Sequence, residues 1–394
     1  MGAYALRYNT TGNYNTAVGY QALTTSVTAS YNTAIGYVAL NVNTTGAHNT
    51  AIGSKALQAN TIGYRNTAVG SYVLDANTTG NNNVAVGYQA LTISVTASYN
   101  TAVGYIAMNV NTTGQYNVAV GNEALRSNTT GGDNTVVGSY ALTTNTIGHR
   151  NTVVGANSMR LNTTGGYNTA VGYSSLYTNT TGQHNVAVGD EALKANTVGK
   201  QNIAVGYRSM YYNTTSINNV SIGYLAMYDN TIGTQNTAVG SYALTDNTTG
   251  ERNVAIGYRT LFVNTTGRYN TAVGWHALSS TTGDGNVAVG YETLKANTIG
   301  SLNSALGYQA LTANTTGNYN TALGYNALFS NTTGVTNTAV GFYALKDNTG
   351  GTYNIAVGHS ALENNLTGSL NTAMGGNALK DNLGSSNVAI GYGA

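Results

Sequence analysis

The sequence predicts an all-β chain, a parallel β-solenoid of about 23 coils, and two observations carry that prediction. The first is a strict period. The phrase Asn-x-x-(Val/Ile/Leu/Met)-Gly recurs 23 times, and 20 of its 22 intervals are 17 residues long, the two of 16 ending at Asn286 and Asn387. Such a period marks stacked repeats, each unable to bury its apolar side alone. The second is what fills the period. Gly at two positions and β-branched Thr and Val at others suit short strands and tight corners and disfavour helix.

Numbering each repeat from its Asn gives 17 columns. Column 1 is Asn and column 5 is Gly in all 23 copies. Columns 1–4 read as a short strand ended at a corner by Gly19, Gly36, Gly53, Gly70, Gly87 and their successors, since Gly supplies positive φ without steric cost. Columns 7–9 and 12–14 read as further extended pieces, with Asn-Thr-Thr-Gly closing the coil. Strands stacked in parallel at about 4.8 Å give 23 coils a length of roughly 110 Å.

Columns 4 and 9 hold the large apolar residues, and we expect both inside. They fall far short of the entropy lost in ordering 17 residues, so a side-chain ladder is expected to help. Asn15, Asn32, Asn49, Asn66, Asn83, Asn100 and Asn117 are its candidate rungs, each bonding to its equivalent one coil on. Column 3 (Ala17, Ala34, Ala51, Ala68) lies between two uncharged columns. A strand apolar on both sides reads as buried on both, and these alanines are the candidate interface with a neighbouring chain, most simply in a threefold bundle. Column 6 holds Tyr in 12 copies, among them Tyr20, Tyr37, Tyr88 and Tyr105, and reads as an aromatic stack.

Composition excludes several classes. The 394 residues carry a net charge of +2, only 7% are charged, and there is no Cys or Pro. That balance, without basic clusters, argues against nucleic acid. No apolar run approaches the ~18 residues that would insert in a membrane, and MGAYALRYNT lacks the form of a signal peptide. The histidines His48, His149, His184, His276 and His359 share no register, so no metal, catalytic or cofactor site is expected. Glu123 with Arg126, Glu191 with Lys194, and Glu292 with Lys295 read as surface ion pairs. The repeated Asn-Thr-Thr matches the glycosylation sequon but coincides with the corner. Asn15 to Gly46 recurs almost verbatim at Asn83 to Gly114, as growth by block duplication would leave it. The single array spans 1–394, opening at column 5 and stopping at column 8, which reads as a fragment or as open edges that pair with other copies.

The phrases NTAVGYQAL, NTAIGYVAL and NVAVGYQAL resemble the head repeats of YadA-like trimeric autotransporter adhesins and the similar arrays of phage tail fibres, over almost the whole chain. The resemblance implies a trimeric parallel β-roll with the Asn column as inner ladder and the Val/Ile column as core. It implies an extracellular, cell-surface or virion location and attachment to a host-surface glycan or protein receptor. The 17-residue period is longer than that of the adhesin head, and neck, stalk and anchor are not in this sequence. The expectation is a non-enzymatic fibre or adhesin that associates with copies of itself. The alternatives are a filament assembled end to end, and an ice-binding solenoid using the Thr rows of columns 13 and 14.

Overall fold

The computed structural model describes residues 2–394, among which there are 23 strands of three residues and no helix. The chain forms a parallel β-solenoid with a 17-residue repeat. It divides into two compact units, Met1–Lys200 and Gln201–Ala394. In the first, β1 (Thr16–Val18), β2 (Thr33–Ile35) and their successors to β11 (Val186–Val188) each pair in parallel with the next. In the second, the same holds from β12 (Ile203–Val205) to β23 (Val388–Ile390). Register is column on column: Thr16 lies opposite Thr33, Ala17 opposite Ala34 and Val18 opposite Ile35.

The strands are short because Gly ends them. Gly19 has a φ of 134°, and a Cβ there would overlap the carbonyl of Gly36 in the next coil. Hydrogen bonding nevertheless continues around the perimeter. The Leu23 N–H donates to the Ala39 carbonyl (3.0 Å), Thr25 to Asn41 (3.1 Å), and Tyr31 to Asn13 (2.9 Å). Most of each coil is therefore bonded to its neighbours without being strand, which satisfies the backbone groups that so thin a structure cannot hide.

Two readings of the sequence are corrected. Columns 7–9 are not extended. Gln21 and Leu23 (both φ 52°) are left-handed, as is Tyr31 (φ 60°) at column 17, and this pattern repeats in later coils. The left-handed turns let columns 8 and 9 both face inward, which the alternation of an extended strand forbids. The interior is thus Ala at column 3, Ala at column 8 and Leu or Met at column 9, as in Ala51, Ala56 and Leu57, all fully buried. Column 4 does not join that core. Val18, Ile35 and Ile52 point outward and are 37–46% exposed.

The 16-residue coil beginning at Asn270 keeps this register. Thr271 still pairs with Val287, and the Asn286 N–H still donates to Asn270 Oδ1 at 2.9 Å. The missing residue comes out of the Thr corner, between Thr282 and Gly283, and Gly285 keeps the left-handed conformation of column 17 (φ 66°).

Candidate functional surface

The column-1 asparagines are buried in a ladder. The Asn32 N–H donates to Asn15 Oδ1, Asn49 to Asn32 and Asn66 to Asn49, each at 2.9 Å. Asn83, Asn100 and Asn117 continue it at 3.0 Å. The rung therefore joins a backbone donor to a side-chain acceptor, and the amide nitrogen has a further task. It donates to the column-15 carbonyl of its own coil, as Asn32 Nδ2 does to Gly46 at 2.9 Å and Asn49 Nδ2 to Gly63 at 2.8 Å.

A second ladder, which the sequence reading passed over as part of a corner, runs at column 12. Asn60 Nδ2 donates to Asn43 Oδ1 (2.8 Å) and Asn77 Nδ2 to Asn60 Oδ1 (2.9 Å). These amides converge on the carbonyls used by column 1: Gly46 also accepts from Asn43 Nδ2 at 2.8 Å. The signal was the recurrence of Asn at column 12, missed because Asn also suits turns. Where Ser26 and Ser94 interrupt the ladder, Asn9 Oδ1 and Asn77 Oδ1 are buried without a partner. Thr281 interrupts it too, but its hydroxyl accepts from Asn297 Nδ2 at 3.0 Å.

Ala17, Ala34, Ala51 and Ala68 are not an interface. They face the interior of their own coil, the last three with no exposed surface. The coil is too thin to hold a larger pair of side chains, so the smaller side of the strand turns in and the larger turns out. The outward set is columns 2 and 4, Thr or Val beside Val, Ile, Leu or Met. In unit 2 this face carries an apolar depression of about 260 Å³ lined in part by Val287, Val289, Leu306 and Leu323.

Column 6 lies on another side. Tyr20 stacks on Tyr37 and Tyr88 on Tyr105, both at 5.6 Å. Unit 2 holds a run of seven rings: Tyr258, Trp275, Tyr291, Tyr308, Tyr325, Phe342 and His359, with centroids 4.9–6.2 Å apart and planes within 20°. Within the run each ring face is covered by its neighbour, so edges and hydroxyls meet solvent. Where the aromatic shifts to column 7, as at Tyr72, it meets Tyr88 edge-on at 74°. A shorter stack at column 17, Tyr14–Tyr31–His48 at 4.9 and 4.8 Å, was legible in the 17-residue spacing of those residues.

Among the described residues, no cluster of His, Asp and Glu could hold a metal ion. His48, His149, His184 and His359 lie against aromatic rings. The His276 ring is 3.9 Å from that of Trp275, and burial, then the charges of Arg259 and Lys295, hold it below its ordinary pKa. Glu123–Arg126, Glu191–Lys194 and Glu292–Lys295 pair at 2.8, 2.5 and 2.6 Å. Burial pushes the Glu292 carboxyl up, but hydrogen bonds from Lys295 and Gln309 outweigh it and leave the group below its usual range. Comparison with known proteins found no matching family model and no matching curated protein.

Proposed function

We propose that the protein is a non-enzymatic structural element, the shaft or head of an extracellular fibre. On this reading it associates through the column 2 and 4 face with copies of itself and presents its variable columns outward for attachment. One observation carries the reading. Columns 7, 10, 11, 16 and 17 admit Lys, Arg, Glu and Asp, whereas columns 2 and 4 carry no charge in any of the 23 copies. Both sets face water in the single chain, and columns 1, 3, 8, 9 and 12 already close the interior. The fold does not account for the restriction on columns 2 and 4; a second contact does.

The contact area is adequate. At roughly 50 Å² per outward side chain, the two columns of one unit offer about 1,000 Å² per partner, above the ~800 Å² per side of a standard stable interface. Copies running parallel about a common axis keep coil against coil, and the resemblance to trimeric adhesin repeats favours three. The test is absolute mass in solution by light scattering. The reading expects three times the 40.7 kDa chain, falling when Ile52 and Val86 become Lys while the β signal in circular dichroism persists. A monomer at high concentration overturns it, and ice-recrystallisation assays become the next experiment. Very large species that grow with concentration would instead favour end-to-end filaments. The column-13 hydroxyls bond from coil to coil at the surface, with Thr44 Oγ1 donating to the Thr61 carbonyl at 3.0 Å.

A further inference from the structure

The long aromatic run of unit 2 begins at Tyr258 because the preceding coil has Ser241 at column 6. Its aromatic, Tyr242, stands one column on, edge-on to Tyr258 (6.1 Å, 87°) and to Phe262 (6.3 Å, 67°). Beside these rings lies a cavity of about 270 Å³ lined by Tyr242, Tyr258, Arg259 and Phe262. That volume would hold roughly nine waters, the size of a single six-membered ring with a carboxylate.

Arg259 supplies the charge. In three other coils columns 7 and 10 hold an acid and a base that neutralise one another, Glu123–Arg126, Glu191–Lys194 and Glu292–Lys295. In this coil column 10 is Phe262, and the guanidinium lies 4.2 Å from its ring centroid. Among the described residues Arg259 makes no ion pair. Asp246 of the preceding coil feels it electrostatically, as does His276 of the next, but neither carries a bond to it. A guanidinium shielded on one face by an aromatic ring presents its edge for a two-point bond to a carboxylate. The surrounding rings offer a ligand's own ring edge-on and offset contacts.

We propose that this cavity is a binding site for a small carboxylate carried on a ring, either a uronic-acid sugar or an aromatic acid. The site lies within one chain and is independent of the self-association above. Its test uses the full chain with sodium glucuronate, sodium benzoate and glucose as probes, followed by saturation-transfer and titration NMR. At least one carboxylate should saturate, with a Kd up to roughly 10 mM, and glucose should not; the one that saturates identifies the ring type. Arg259→Gln should weaken that binding about tenfold or more, the loss expected of one charge-assisted bond. The variant folds, because Gln occupies column 7 at Gln21, Gln89 and Gln309. Arg65→Gln, in the other unit, should change nothing. Equal binding of glucose, undiminished binding by Arg259→Gln, or no binding of either acid at that concentration overturns the proposal.

Discussion

Two of the complete coils replace column-12 Asn by Ser, and both also replace column-15 Gly by Ala: Ser26 with Ala29, and Ser94 with Ala97. The structure gives a steric reason. A Cβ added at Gly131 would lie 2.5 Å from Asn128 Oδ1 of its own coil, besides crowding the Gly148 carbonyl. Shortening Asn128 to Ser removes the first of these obstacles. Gly131→Ala alone should therefore cost about 1–3 kcal/mol, as overpacking does. Asn128→Ser alone leaves Asn111 Oδ1 without its donor, now at 2.7 Å, and takes the acceptor 2.8 Å from Asn145 Nδ2. Its cost is about 2–4 kcal/mol, one orphaned buried acceptor plus a lost bond. The Gly131 carbonyl keeps its bond from Asn117 Nδ2 at 2.9 Å. The double variant should cost about 1–2 kcal/mol less than the two singles together. Because unfolding of a repeat array need not be two-state, the readout is native-state hydrogen exchange of the amides from Asn117 to Asn134. Strict additivity within about 0.5 kcal/mol would refute the steric account. Ser216 offers a further check: it sits at column 15 beside Asn213, its hydroxyl bonded to Asn213 Oδ1. Gly131→Ser should therefore be milder than Gly131→Ala.

Thr336 is exposed, β-branched and left-handed (φ 57°). Replacing it with Asn, which tolerates that region, should stabilise by roughly 0.5–1 kcal/mol, and a lowered thermal midpoint would contradict the strain assigned to it. Trp275 is the only tryptophan, and His276 sits on it, so acidification should quench its fluorescence with a midpoint below 6.5. The sign follows from linkage. The folded pKa lies below the unfolded one, so stability falls as pH drops through 6.5 and levels off below the folded value. His276→Ala should abolish the optical transition; its persistence would assign the quenching elsewhere. Leu125→Ala, at a fully buried column-9 position, should cost about 2–5 kcal/mol in the exchange of its coil, and a smaller loss would mean that the thin interior collapses around the deletion.

Period, strand position, corner Gly and the existence of an Asn ladder were legible because each is a property of one column repeated. Which side of the strand faces inward was not. Alternation tells that Ala17 opposes Thr16 and Val18, but both sides are uncharged, and polarity cannot choose between them. Interior width chooses, and width is set by the left-handed turns at columns 7 and 9. Those turns are invisible in composition, since Leu23 and Gln21 carry no preference for positive φ. The cavity at Arg259 was equally hidden. It is lined by an aromatic moved one column along and by an Arg beside Phe262 in the next coil, and neither placement is a motif.

The periodicity also separates the partners that the column 2 and 4 face could meet. A copy of the chain shares its rise and meets every coil alike, whereas a discrete receptor of another shape touches only a few. Single Lys substitutions at Ile52, Val103 and Val171, placed along unit 1, distinguish the two. Against a copy, each removes one apolar contact of about 1.5–3 kcal/mol and brings a charge to the same environment, so the three should shift the dissociation midpoint by similar amounts in sedimentation equilibrium. A shift confined to one position would point to a localised contact and would sink the argument from repetition. Arg65→Gln, on an exposed variable column, should leave the midpoint unmoved, because the charges of that surface lie outside the shared face.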